Sequence, residues 1–241
     1  MSYYIGLSIL ATVHGDRWKG IERQRPSAEA RRILSLFEGR PLAENDIAKE
    51  ERGRPFFPGR EADFSIAHSG SIIAVSRVKG GNLRTGCDVE QVRPRANMGE
   101  IAGDFFSASE RKFIFSGDEL NAIRFYEIWT LKECYLKLRG LSVFDMAGSP
   151  SFISESFISD EGPGQPKDAF AFEAAVSSPL SFNLYGLSDG ADQHYILATA
   201  IEGTDREQPE IRWFSQSFPI CRSIAVIKAA LNPAETVRPK M

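Results

Sequence analysis

The chain opens with Tyr3-Tyr4-Ile5-Gly6-Leu7-Ser8-Ile9-Leu10, an almost unbroken apolar run that predicts a β-strand over 3–10. A polar stretch carrying Arg17, Lys19, Arg23 and Arg25 follows. Beyond Pro26-Ser27 the apolar positions Ala30, Ile33, Leu34 and Phe37 fall at helical spacing, with Gly39 as a stop, and predict a helix over 27–38. Residues 40–62 read as loop and end in Gly53-Arg54-Pro55-Phe56-Phe57-Pro58-Gly59. Apolar runs then predict strands over 63–68, 71–78 and 83–90, separated by Ser69-Gly70 and by the hairpin signal Lys79-Gly80-Gly81-Asn82. Helix is predicted over 98–115 and again over 119–139, where Gly140 suits the left-handed residue at a helix end. Residues 154–168, with Gly162, Pro163, Gly164 and Pro166, read as exposed loop. Strands are predicted near 169–176, 180–187 and 194–201, and Glu210-Ile211-Arg212-Trp213-Phe214 suggests one more. Nothing else in 202–241 fixes a role.

The order is a helix and then three strands, twice over, without sequence identity between the halves. It predicts an α+β fold of two similar subdomains side by side, one over 1–86 and one over 87–241. The seam falls near 85–90, beside Asp88 and Glu90, where clefts tend to form. A length of 241 residues, 42% hydrophobic and 25% charged, is enough for a sizeable core without staples. With 29 Lys and Arg against 32 Asp and Glu, the net charge of −3 argues against a nucleic-acid binder that works by bulk charge, while leaving room for a local basic patch. The three cysteines, Cys87, Cys134 and Cys221, form neither a disulfide framework nor a metal knuckle, and they suit a reducing cytosol. No basic segment precedes the first apolar stretch, and no run approaches the ~20 residues needed to cross a bilayer. A soluble cytoplasmic chain without a membrane partner is expected.

Several side chains carry candidate chemistry. In a strand Asp88 and Glu90 share one face while Cys87 and Val89 face the other. Paired carboxylates repel unless a proton or cation joins them, and a hard cation such as Mg²⁺ takes oxygen ligands. The plainer reading is a solvated polar face. On the long helix Glu133 and Lys137 stand one turn apart; they read either as a surface ion pair or as part of a site. Trp129 shares their face, which argues that it is partly covered, whereas Leu131, Tyr135 and Leu138 read as core. His68, before Ser69-Gly70, is by itself an ordinary strand-end histidine.

Taken in order, Gly53-Arg54-Pro55, Phe64-Ser65-Ile66-Ala67-His68-Ser69, Gly86-Cys87-Asp88-Val89-Glu90, Phe105-Phe106-Ser107-Ala108-Ser109-Glu110 and Trp129-Thr130-Leu131-Lys132-Glu133-Cys134-Tyr135-Leu136-Lys137 are more specific than any one piece. The series resembles the 4′-phosphopantetheinyl transferases of the surfactin-synthetase-activating type over roughly 53–152. Ser65 and Ala67 stand where that family has Asn and Ser, Cys87 replaces a branched aliphatic, and Cys134 replaces Ala or Ser. None of these departures removes a metal ligand.

The resemblance implies a monomer of two pseudo-twofold-related subdomains with coenzyme A in the cleft between them. It implies Mg²⁺-dependent transfer of the phosphopantetheine arm to a serine of an apo acyl or peptidyl carrier protein, releasing 3′,5′-ADP. By the same resemblance Asp88, Glu90 and Glu133 hold the metal, Lys137 contacts the phosphates, and Glu133 or a water held by Glu110 takes the serine proton. His68, with Ser69 beside it, matches the contact to the 3′-phosphate. Arg54 and Pro55 match the segment whose backbone lines the adenine; Lys19, Arg23, Arg25 and Arg32 read either as further 3′-phosphate contacts or as a solvated basic stretch. Arg111-Lys112-Phe113-Ile114-Phe115 reads either as a carrier-docking segment or as core with a basic edge. A non-catalytic relative that binds coenzyme A or a nucleotide and scaffolds carriers is the alternative; the full set Asp88, Glu90, Glu133 and Lys137 speaks against it. A different Mg²⁺-dependent phosphotransferase lacks support, because the chain has no P-loop.

Overall fold

The computed structural model describes residues 2–9, 25–59, 61–116, 118–155, 169–188, 193–204, 209–213 and 220–231. The chain runs through β1 (Ser2–Ile9), α1 (Arg25–Glu38), the two-residue strands β2 (Ala48–Lys49) and β3 (Pro55–Phe56), β4 (Ala62–Ser69) and β5 (Ile72–Lys79). It continues through β6 (Arg84–Gln91), α2 (Met98–Phe105), α3 (Ala108–Ile114), the short pair β7 (Phe115–Ser116) and β8 (Glu119–Leu120), and α4 (Ala122–Arg139). The remaining strands are β9 (Phe172–Val176), β10 (Leu180–Ser188), β11 (His194–Glu202), β12 (Glu210–Trp213) and β13 (Ile220–Leu231).

Two sheets form, in the orders β12-β1-β5-β4 and β6-β11-β10-β13-β9. In the first, the β4–β5 hairpin adds β1 antiparallel to its second strand. In the second, the β10–β11 hairpin adds β6 antiparallel to its second strand. Both are therefore a strand, helical crossover and hairpin wired in the same way. β6 opens the second unit instead of closing a group of three with β4 and β5, because its ladder partner is β11. The expected 86/87 boundary lies inside β6, and β12 returns to pair parallel with β1. β13 adds to the outer edge of β10; its run of Ala, Ile and Leu suits helix and strand alike, so the pattern alone did not mark it.

The layers run helix, sheet, sheet, helix. Tyr3, Ile5, Leu7, Ile72 and Ala74 of one sheet meet Cys87, Val89, Leu197 and Ile201 of the other. α1 buries Ala30, Ile33 and Leu34 against Phe64, Ile73 and Val75. α4 buries Leu131, Cys134 and Leu138 among Phe182, Leu184, Ala198 and Ala200. β5 is covered on both faces, which is why it opens on the unbroken apolar run Ile72–Val75 and why its Arg77 is paired with Glu38.

The helix predicted over 98–115 is broken. Phe106 is extended, and Ser107 caps α3 by accepting from Glu110 N at 3.2 Å while Glu110 Oε2 accepts from Ser107 N at 2.7 Å. α4 begins at Ala122 because Asn121 Oδ1 accepts from Arg124 N at 3.1 Å and Glu119–Leu120 pair as a strand. It ends at Gly140, whose φ is +67°. Cys87 and Cys134 are free and buried, and no described helix is long and apolar enough to cross a membrane.

Candidate active site

Alternation along β6 sends Cys87 and Val89 into the core between the sheets and leaves Gly86, Asp88 and Glu90 on the opposite face. That face meets α4. A Cβ on Gly86 would lie 2.5 Å from the Cys134 carbonyl oxygen and 3.0 Å from Leu138 Cβ. The helix backbone thus rests on the strand at a residue with no side chain. This close approach brings the last turns of α4 beside Asp88, where Lys137 Nζ donates to Asp88 Oδ1 at 2.6 Å. From the end of β4, Ser69 Oγ donates to Glu90 Oε2 at 2.9 Å and accepts from Gln91 N at 3.0 Å. His68, the preceding residue, is solvent-exposed and within electrostatic reach of Lys137 and Asp88.

The group is rich in negative charge and poor in water. Burial pushes the Asp88 carboxyl up, against the pull of the Lys137 ammonium. Burial and then Asp88 raise Glu90, while Ser69 lowers it. Glu133 is pushed up to about 7 by burial, Asp88 and Glu90, with Lys137 acting against them. Desolvation pulls Lys137 down, but Asp88 and the other nearby anions outweigh it and hold the ammonium above the ordinary lysine value. Desolvation and Lys137 lower His68, against Asp88. Burial is the main reason each acid holds its proton more tightly than in water; the field that favours a cation is reported by Lys137, whose ammonium Asp88 and Glu133 stabilise against its own desolvation.

A groove of about 110 Å³ opens from these carboxylates. Glu90 and Glu133 line it together with Arg95, Met98, Ile101, Phe125, Tyr126 and Trp129. Trp129 stacks on Phe125 with ring centroids 6.1 Å apart, and Tyr126 Oη donates to the Arg93 carbonyl at 2.8 Å. Trp129 was the one signal of this cover in the sequence. Arg95, Met98 and Ile101 carry no motif of their own and come into the groove only through the turn of chain between β6 and α2.

A family model described as the 4′-phosphopantetheinyl transferase superfamily matches residues 84–198, the stretch from β6 into β11 that holds Asp88, Glu90, Glu133 and Lys137. The 4′-phosphopantetheinyl transferase AcpT of Escherichia coli (strain K12) is 33% identical over 151 residues, 57% of this chain and 72% of the relative. The chain belongs to the 4′-phosphopantetheinyl transferase superfamily. AcpT of Salmonella typhi is 34% identical over 132 residues, 54% of this chain and 67% of that protein. The Sfp transferase of Bacillus subtilis (strain 168) is 31% identical over 103 residues, 41% of this chain and 44% of that protein.

For a phosphopantetheinyl transferase site the structure brings together Asp88, Glu90, Glu133, Lys137, His68 and Ser69. The expected convergence of three carboxylates on one point is not reached: among the described residues no three His, Cys, Asp or Glu side chains stand as a ready ligand cluster. Lys137 occupies Oδ1 of Asp88 and Ser69 occupies Oε2 of Glu90, so repulsion among the acids is offset by separate partners. The donor chemistry nevertheless fits a hard divalent ion. Asp88 Oδ2 is buried with no hydrogen-bond partner, and all three groups offer carboxylate oxygen within one cation-attracting field.

Other expected residues of the transferase lie elsewhere. Glu110 is fully buried, with Oε2 on Ser107 N, Oε1 on Phe152 N at 2.9 Å and an ion pair to Lys132 Nζ at 3.1 Å. With no exposed surface and both oxygens engaged, Glu110 joins α3, α4 and the 152 segment instead of holding a catalytic water. The Arg54 side chain is likewise buried and engaged with protein groups, and Pro55 is half-buried in β3. Arg32, on α1, donates to both oxygens of Glu29 at 2.7 Å. Lys19 and Arg23 lie outside the described residues, as does the side chain of Arg25. In the mixed segment, Phe113 is core and Phe115 packs against it, while Arg111 donates to the Phe106 carbonyl.

Proposed function

We propose that this chain moves 4′-phosphopantetheine from coenzyme A to a serine of an apo acyl or peptidyl carrier protein. The serine oxygen attacks the β-phosphorus, the bond from that phosphorus to the oxygen bridging to the α-phosphorus breaks, and 3′,5′-ADP departs. The observation that carries the reading is the Lys137–Asp88 ion pair at 2.6 Å beside the half-buried carboxylates Glu90 and Glu133.

Attack on a pyrophosphate is opposed by its own charge, so catalysis is chiefly neutralisation and alignment. Lys137 presents a point charge to the phosphates, held in place by Asp88 when no substrate is present. Asp88, Glu90 and Glu133 would hold Mg²⁺, which supplies charge stabilisation at the pyrophosphate oxygens. Glu133, which lines the groove, takes the serine proton. His68 and Ser69 stand at the side of the group where the coenzyme's 3′-phosphate is placed, with Pro55 and the Arg54 backbone near the adenine. The groove beside Trp129 is the approach of the carrier serine.

The motif order supports placing the chain with the surfactin-synthetase-activating type. The strand, helical crossover and hairpin common to both sheets support a pseudo-twofold pair of subdomains, near 1–86 and 87–241, with β12 of the second stretch returning to the first sheet. Both units lie in one chain, which supports a monomer, and the buried free thiols suit the cytoplasm.

The test is incubation with coenzyme A, Mg²⁺ and a panel of apo carriers, read by intact mass. A gain of one phosphopantetheine, stopped by a chelator and by Asp88→Ala, is the expected result. No gain on any carrier, or full activity in excess chelator, would overturn the reading or its metal site respectively.

A further inference from the structure

Lys137 sits on the last turn of α4, where carbonyl groups run short of helical donors. Its own carbonyl accepts from Gly140 N at 3.3 Å and, more closely, from Arg54 Nε at 2.9 Å. The same guanidinium forks onto Asp63 of β4, with Nη1 on Oδ1 at 2.9 Å and Nη2 on Oδ2 at 2.6 Å. Nη2 also reaches the Thr85 carbonyl at 3.2 Å, and Asp63 Oδ2 accepts from Thr85 N at 2.8 Å. Thr85 belongs to β6, a few residues before Asp88. The pair therefore grips both backbone groups of Thr85 and the backbone of Lys137 at once. Arg54 is only 7% exposed, and a Cβ on Gly140 would come 2.9 Å from Glu50 Oε2 and 3.5 Å from Arg54 Cδ, so the turn 50–54 closes directly on the helix end.

We propose that Arg54, oriented by Asp63, is a positioning residue that fixes Lys137 relative to Asp88. The inference rests on the role given above to Lys137. The side chain does not bind coenzyme A; it sets the distance between the strand that carries Asp88 and the turn that carries the ammonium. A planar fork with several donors can meet Asp63, Thr85 and Lys137 together, and a lysine at this position cannot. Small misplacement of a charge aimed at a transition state is costly in rate.

Three single variants of the full chain, R54K, D63N and K137A, and the double variant R54K/K137A carry the test. Steady-state transfer is measured with thermal unfolding of each protein. R54K should lower kcat at least about tenfold with the coenzyme A KM within about threefold of wild type. D63N, which keeps an acceptor for Thr85 N, should lower kcat in the same sense but less. In the K137A background R54K should add little, because the group it positions is gone. A raised KM at unchanged kcat would assign Arg54 to cofactor binding, and a lower Tm with unchanged kcat per folded molecule would make it merely structural. Independent, multiplicative losses in the double variant would also overturn the proposal. An inactive wild-type protein, or a fully active K137A, would instead sink the reading of the site.

Discussion

Gly86→Ala tests the geometry of the site with a single methyl group. Gly86 does not adopt a left-handed backbone, so alanine suits the strand conformation and the whole effect is spatial. The new Cβ would stand 2.5 Å from the Cys134 carbonyl oxygen, where ordinary contact begins at 3.4 Å, and 3.1 Å from Leu138 N. Both obstacles are backbone and cannot rotate away, so β6 and α4 must part by roughly 0.9 Å at this point. Overpacking of this kind costs about 1–3 kcal/mol. The displacement falls between Glu133 and Lys137 on the helix and two residues before Asp88 on the strand, so it opens the Lys137–Asp88 contact of 2.6 Å. A shift near 1 Å in positioned groups can cost about 10²-fold in rate. Transfer to an apo carrier, followed by intact mass, should fall by that order, while urea unfolding shows a protein that still folds cooperatively. A variant with wild-type stability and wild-type turnover would refute the claim that the strand glycine sets the helix-to-strand distance.

Two further outcomes concern groups outside the catalytic set. Glu127 is 8% exposed and its carboxyl is pushed up to about 7 by burial, with Arg124 pulling the other way. The folded state then favours the protonated acid, so this group's contribution is intact below an unfolded value near 4.5 and is lost as pH rises through 7. Glu127→Gln should raise stability by up to about 3 kcal/mol at pH 8 and by little at pH 5, and parallel urea curves at both pH values would count against it. The buried Glu110–Lys132 pair, 0% and 1% exposed, should make Lys132→Met costly by about 3–5 kcal/mol, with part recovered in the double variant Glu110→Gln/Lys132→Met. An unchanged midpoint for Lys132→Met would show that the pair does not hold α3 to α4.

Much of the fold is legible because its signals are local. The strand pattern in 63–90 and the glycine after α4 come from apolar runs, turn chemistry and backbone freedom, all within a few residues of one another. The break before α3 was also written in the chain: Ser107-Ala108-Ser109-Glu110 is a capping box, although the same residues read first as a catalytic motif. The membership of β6 in the second sheet was not local. Its apolar pattern fits next to β5 or β11 equally, and only the packing of Cys87 and Val89 against β1 and β5 made the two sheets stack face to face.

The site divides the same way. Alternation and the helical repeat by themselves determined that Asp88 shares a face with Glu90 and Glu133 with Lys137, because both periods are properties of the backbone. The sequence also ordered the motifs that mark the superfamily. Only the tertiary structure decided that these faces meet, since nothing local says that α4 lies on Gly86. It likewise separated Glu110 from the group and set the Arg54 side chain as a tie between β4, β6 and α4. Residue type sets what a side chain can bond to; which partner it finds depends on chain segments dozens of positions away that arrive only when the layers pack.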